Sequence, residues 1–119
     1  METFAVDVVV RNLHDPSRSR ELSALVDTGA TYTTLSRDVA DALGCRPIGA
    51  RRVVLASGRE EERPVSVVSI VLQGQEGPTF CFIGPNGGPA LLGAVTLEEF
   101  ALGVDPVAKR LVSVRSYLT

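Results

Sequence analysis

Tryptophan is absent from this chain of 119 residues, histidine and methionine occur once each, cysteine twice, and aromatic residues make up only 5%. An excess of one charge is lacking too, since twelve Lys and Arg stand against fourteen Asp and Glu for a formal net charge of −2. With no dense basic face and no aromatics interleaved among basic residues, nucleic acid is not an expected partner. Cys45 and Cys81 are too few and too far apart for a disulfide framework or a zinc site, and His14 lies beside Asp15-Pro16 in a turn-like stretch. They read as two buried free thiols and a loop histidine, with no metal and no organic cofactor. Long hydrophobic runs are also missing. The longest near-apolar stretch, VSVVSIVL at 65–72, is far too short to span a bilayer, and METFAVDVVVRN lacks a basic segment followed by a signal-like apolar one. The expectation is a soluble, cytoplasmic protein with no membrane partner.

Apolar residues are abundant, at 45% of the chain, enough to fill one core in a single domain over residues 1–119. Valine-rich TFAVDVVVRNL (3–13), the breaker HDPSRSR and the extended ELSALV (21–26) predict a hairpin. TTL (33–35) predicts a short strand. Ser36 is placed to cap a short helix in which Val39, Ala42 and Leu43 share one face before Gly44 ends it. Residues 50–73 predict a projecting hairpin with two long arms around Ser57-Gly58. TFCFI (79–83) is a further strand leading into GPNGGP, a loop of turn formers. Thr96 and Glu99 have the spacing of a capping box for a second short helix, TLEEFAL. Asp105-Pro106 turns the chain between ALGV and KRLVSVRSYL. Many short strands and two small helices predict a mainly β, barrel-like domain.

One carboxylate stands out in LSALVDTGATYTTLS, residues 22–36. Asp-Thr-Gly arises by chance in roughly 2% of chains this long and forms a good turn, so the tripeptide alone decides little. Its setting adds weight, because the apolar ALV run delivers Asp27 to the end of a buried strand, where a carboxyl is a candidate acid or base.

ALVDTGATYTTLS resembles the active-site segment of aspartic proteases, specifically the single-domain, retropepsin-like branch of retroviral and bacterial-type enzymes. ALLGAVTLEEFALGVDPVAKRLV is similar to that family's hydrophobic-hydrophobic-Gly segment, helix and closing hairpin, and LASGRE falls at its flap. The resemblance covers nearly the whole chain. It implies a closed β-barrel-like acid protease fold with two short helices, active as a symmetric homodimer. It further implies that Asp27 is catalytic, that Thr28 braces the loop by hydrogen bonding across the two-fold axis, and that Gly29 permits close approach to the substrate. Ala30 stands where retroviral enzymes also have alanine. Leu91, Leu92 and Gly93 would support the loop from beneath, and Ala56, Ser57 and Gly58 would form the substrate-binding flap tip. The tip departs from the viral pattern in having a single glycine and a charge run, REEER, which reads as a solvated face.

Peptide hydrolysis by this route needs two carboxyl groups, one accepting a proton from water and one donating to the carbonyl oxygen. One Asp-Thr-Gly per chain therefore implies a dyad of two Asp27 residues across a homodimer, acting on an extended polypeptide. A catalytically weak peptide-binding or regulatory dimer of the same fold is the alternative.

Overall fold

A computed structural model describes residues 3–119. Its first hairpin joins β1 (Phe4–Arg11) to β2 (Ser19–Val26), with Val8, Val10, Ala24 and Val26 turned inward. Asn12 shapes the connection, its side-chain oxygen accepting from the N–H groups of His14 and Asp15. A short strand, β3 (Thr33–Ser36), leads into α1 (Arg37–Ala42). The last turn of α1 carries no basic residue. Its terminal carbonyls are satisfied from the hairpin instead, Asn12 Nδ2 donating to Leu43 and Gly44 and the Arg18 guanidinium to Ala42.

The projecting hairpin is β4 (Gly49–Val54) and β5 (Glu60–Leu72), and β5 continues into β6 (Gln75–Gly84). A three-residue strand, β7 (Ala90–Leu92), precedes α2 (Ala94–Glu99), after which β8 (Leu102–Asp105) and β9 (Arg110–Ser113) form a second hairpin. The large sheet runs β1-β2-β7-β3-β6-β5-β4, and an added pairing of β1 with β5 closes six of these strands into a barrel. β5 serves this closure because its 13 residues pair with β4 at one end and with β6 and β1 at the other. Among the described residues, only β2–β7 and β3–β6 pair in parallel.

The barrel interior is aliphatic, with Val68, Ile70 and Leu72 of β5 facing Leu35, Ile83, Leu92 and the β1–β2 side chains. Leu97, Phe100, Leu102 and Leu111 join the same buried cluster from α2, its C-cap and the β8–β9 hairpin. No helix among the described residues is long and apolar enough to cross a membrane.

Three local expectations need correction. On α1 the inward residue is Ala40, flanked by Leu43, while Ala42 is exposed. The second helix starts at Ala94 with Gly93 as its N-cap, so Thr96 lies within the helix. The Thr96 hydroxyl is fully buried and bonds to those of Thr33 and Thr79, the latter donating to Glu99. A β-hydroxyl that looked like a cap is instead committed to an interior polar chain. The last strand ends at Ser113, and Val114, Tyr117 and Leu118 lie exposed beyond it.

Cys45 and Cys81 are both buried free thiols. Burial, reinforced by nearby Cys45, pushes the Cys81 thiol up to about 12. Because the thiolate is the reactive form, Cys81 in a Cys45→Ser variant is expected to resist a maleimide dye at about pH 8 until denaturant is added. Labelling followed by mass spectrometry checks this, and rapid native labelling would contradict the packing described. Ile70, 1% exposed in the barrel, is expected to cost about 2–5 kcal/mol on truncation to Ala. Val107, 91% exposed, should cost within about 0.5 kcal/mol in the same urea titration.

Candidate active site

Buried Val26 ends β2, and the chain then turns through residues 27–32 before β3 begins. Asp27 is half-buried at the start of this loop, and its Oδ1 accepts the Gly29 N–H at 3.0 Å. The Ala30 N–H returns to the Asp27 carbonyl at 3.1 Å, closing a tight turn. Thr28 and Gly29 are exposed at its crest. Gly29 keeps the carboxylate uncrowded, since a Cβ there would lie 3.2 Å from Asp27 Oδ1.

Support comes from β7 and the start of α2. β7 lies between β2 and β3, pairing Leu25 with Leu91 on one edge and Thr34 with Leu91 on the other. The Leu92 carbonyl accepts the Asp27 N–H at 3.0 Å. The first N–H groups of α2, from Ala94 and Val95, donate to the loop carbonyls of Ala30 and Thr31 at 2.9 Å each. Helix-end donors with no partner inside the helix are thus satisfied by the loop itself. Gly93 permits this proximity, because a Cβ would stand 2.6 Å from the Tyr32 carbonyl oxygen and 2.8 Å from that of Thr31. Leu92 is buried beneath and Leu91 is half-exposed beside the loop.

The remaining aspartates are placed elsewhere. Asp7 is exposed on β1 and Asp41 on α1, while Asp15 and Asp105 accept local turn N–H groups. Asp38 accepts the Gly87 N–H at 2.9 Å, tethering the loop before β7 to α1. That bond, aided by the Ser36 hydroxyl, holds its carboxyl below the usual range. Among the described residues no three His, Cys, Asp or Glu side chains converge to hold a metal ion.

The β4–β5 hairpin ends in an exposed tip at Ala56, Ser57 and Gly58. Gly58 has a φ of +85°, donates its N–H to the Leu55 carbonyl at 2.8 Å and has open space around its Cα. A cavity of about 440 Å³ lies below the tip, bounded by Arg37, Leu55, Ser57, Arg59, Arg63 and Pro85, among others. The charge run is not wholly solvated, because half-buried Glu61 takes bonds from Arg59 at 3.0 Å and from Arg63 Nε at 2.7 Å.

Strand register places Leu25, Leu91, Thr34, Phe82 and Val65 in one row across five strands. These side chains stand outside the barrel core, and the row begins two residues before Asp27. Tyr32 packs edge-on against Phe80 and Phe82, at ring-centroid distances of 5.5 and 5.4 Å. Leu25, Tyr32, Thr34, Phe80, Phe82 and Val65 were not singled out from sequence. The signal available was Phe80 and Phe82 at i, i+2 in TFCFI, which alternation must send to one face while Cys81 and Ile83 take the other.

A family model described as Aspartyl protease matches residues 17–96, spanning the Asp27 loop, the hairpin tip, β7 and the first turn of α2. No curated protein sequence matches the chain. Among solved structures, EIAV protease complexed with the inhibitor HBY-793 is similar at 20% identity and a TM-score of 0.65, over 83% of this chain and 88% of that one. The simian foamy virus (mac) protease is similar at 18% identity and a TM-score of 0.59, over 82% of this chain and 94% of that one.

The loop and its support form one packed unit, so Gly93→Ala is expected to displace residues 31–32 and cost about 1–3 kcal/mol. A lowered urea midpoint with an unchanged slope checks it. An unchanged midpoint would show that the loop does not depend on this proximity.

Proposed function

This chain belongs to the aspartyl protease family and is an aspartic-type peptidase with a retropepsin-like fold, and from that premise we propose that it acts as a homodimeric endopeptidase. Each active site takes one Asp27 from each of two chains, and the substrate is an extended polypeptide. The observation that carries this reading is the isolation of Asp27. The other five aspartates lie in strands, helices or turns outside the loop, which supports a second copy as the source of the partner carboxyl.

In the dimer the two carboxyl groups share one proton, because two close carboxylates do not both ionise easily. The ionised one takes a proton from a water molecule, whose oxygen attacks the peptide carbonyl carbon. The protonated one gives its proton to the carbonyl oxygen, and the tetrahedral intermediate then collapses with the proton passed to the leaving nitrogen. No covalent bond to the protein forms. Thr28 braces the loop across the two-fold axis, Gly29 and Ala30 leave room for the substrate, and Leu91, Leu92 and Gly93 hold the loop in place. Ala56, Ser57 and Gly58 close over the peptide, which lies along the outward row of side chains. The 119 residues act as one domain. Two unpaired buried thiols support a reducing, cytoplasmic setting.

Asp27→Asn preserves side-chain size but removes the ionisable pair, so the variant is expected to dimerise and fail to cleave a mixed peptide library. Mixed in equal amounts with the wild type after complete exchange, it should leave about one quarter of the all-wild-type activity per dimer, from random pairing. Retention of about one half would point to independent single-chain sites. Tagged chains establish exchange before rates are read. Separately, Gly58→Val opposes the positive φ at the exposed tip. It is expected to lower kcat/KM with little change in melting temperature, and unchanged kinetics would make the tip an ordinary hairpin turn.

A further inference from the structure

We propose that Arg51, with the Tyr32–Phe80–Phe82 rings, forms an outer subsite that selects an acidic side chain of the peptide substrate. This rests on the reading of the chain as a peptidase whose substrate follows the outward row from Asp27. The row crosses from β2 through β7 and β3 to β6, three spacings of roughly 4.8 Å, or about 14 Å in all. At roughly 3.3 Å per residue, an extended peptide covers that distance in about four residues. The aromatic cluster therefore meets the substrate away from the bond being cleaved, where its role is recognition.

The cluster is built rather than incidental. Phe82 and Val65 are buried, at 7% and 3% exposure, yet neither joins the barrel core. Phe80 and Phe82 meet edge-to-face at 6.0 Å, and Tyr32 closes over both. The Arg51 guanidinium carbon lies 4.5 Å from the Phe80 ring centroid. Such a contact holds a long cationic side chain in place before any ligand arrives, lowering the entropy lost on binding. It also leaves polar N–H groups for an acceptor, and a planar guanidinium fits a carboxylate in a two-point contact.

Charge around Arg51 fixes the sign of the ligand. Register places Arg51 directly across from Arg63, and alternation puts Arg59 and Glu61 on the same hairpin face. That face carries three arginines against one glutamate. Glu61 is already committed to Arg59 and Arg63 through both of its oxygens. Arg52 and Glu62 are paired in register on the opposite face. Among the described residues no carboxylate forms an ion pair with Arg51. An unneutralised cation facing another across the ladder is a position that an incoming Glu or Asp relieves and an incoming Lys worsens.

The test is a peptide set with Glu or Lys at each position up to the fifth on either side of a fixed cleavable bond. The wild type is expected to favour Glu over Lys by about fivefold in kcat/KM at an outer position, with the ratio shrinking as salt rises. Arg51→Glu should invert the ratio, and Arg51→Gln should bring it near one if the reversal variant folds poorly. A cleaving Arg51→Glu enzyme with the wild-type ratio would overturn the proposal, as would a wild type indifferent to charge at every outer position. If the wild type cleaves nothing, fluorescence anisotropy of the same peptides on Asp27→Asn decides separately. Glu-selective binding abolished by Arg51→Gln would keep the subsite and remove the peptidase reading, whereas absent or charge-independent binding would remove the subsite as well.

Discussion

The insertion of β7 between β2 and β3 is the constraint on which the remainder of the site depends. A strand of only three residues is hydrogen-bonded on both edges, to the strand that ends before Asp27 and to the strand that begins after Tyr32. The Leu92 carbonyl then takes the Asp27 N–H, and the free N–H groups of α2 take the carbonyls of Ala30 and Thr31. Six loop residues are thus held at three backbone positions, with the Asp27 carboxylate on the Gly29 N–H and Tyr32 on Phe80 and Phe82 adding side-chain contacts. Loops are ordinarily the mobile part of a domain. Here backbone partners tie the loop to β7 and α2, and the missing Cβ of Gly93 permits that close approach.

Order in the loop passes into the interior through hydroxyls. Gly93 N–H donates to Thr33 Oγ1 at 3.2 Å, and Thr33, Thr96 and Thr79 continue a chain that ends on the Glu99 carboxylate. With a donor at one end and an acceptor-only carboxylate at the other, each hydroxyl can donate toward Glu99 and accept from the Gly93 side. All three threonines are buried, yet no buried side-chain polar atom among the described residues lacks a partner. The barrel therefore accommodates polar groups beneath the site without the penalty of an unsatisfied donor or acceptor.

Much of this was legible in advance. Valine-rich alternation specified the first hairpin, Ser57-Gly58 marked the tip of the second, and the apolar run into Asp27 marked the strand-to-loop boundary. Errors arose where a residue type had two uses. Thr96 with Glu99 matched a cap pattern, but the helix begins earlier because β7 delivers Gly93 to the loop and the loop supplies the helix-end acceptors. Ala40 and Ala42 differ in burial though not in chemistry, and only packing against the barrel distinguishes them. The charge run after Gly58 reads as solvated, whereas strand alternation turns Glu61 toward two arginines on one face.

The sequence by itself determined the periodicities, the turns, the apolar supply for one core and the single Asp-Thr-Gly with its supporting Leu-Leu-Gly, because each is a local or compositional property of the chain. Tertiary structure decided which strands became neighbours. Leu25, Leu91, Thr34, Phe82 and Val65 are scattered over 67 positions from Leu25 to Leu91, and they form one row only after β7 enters between β2 and β3 and β6 pairs with both β3 and β5. Likewise, Arg51 is one of several arginines in sequence and becomes distinct only when the ladder sets it over Phe80 and opposite Arg63. Long-range pairing register creates these juxtapositions, and no local pattern in a single chain encodes the distance between residues that meet across a closed sheet.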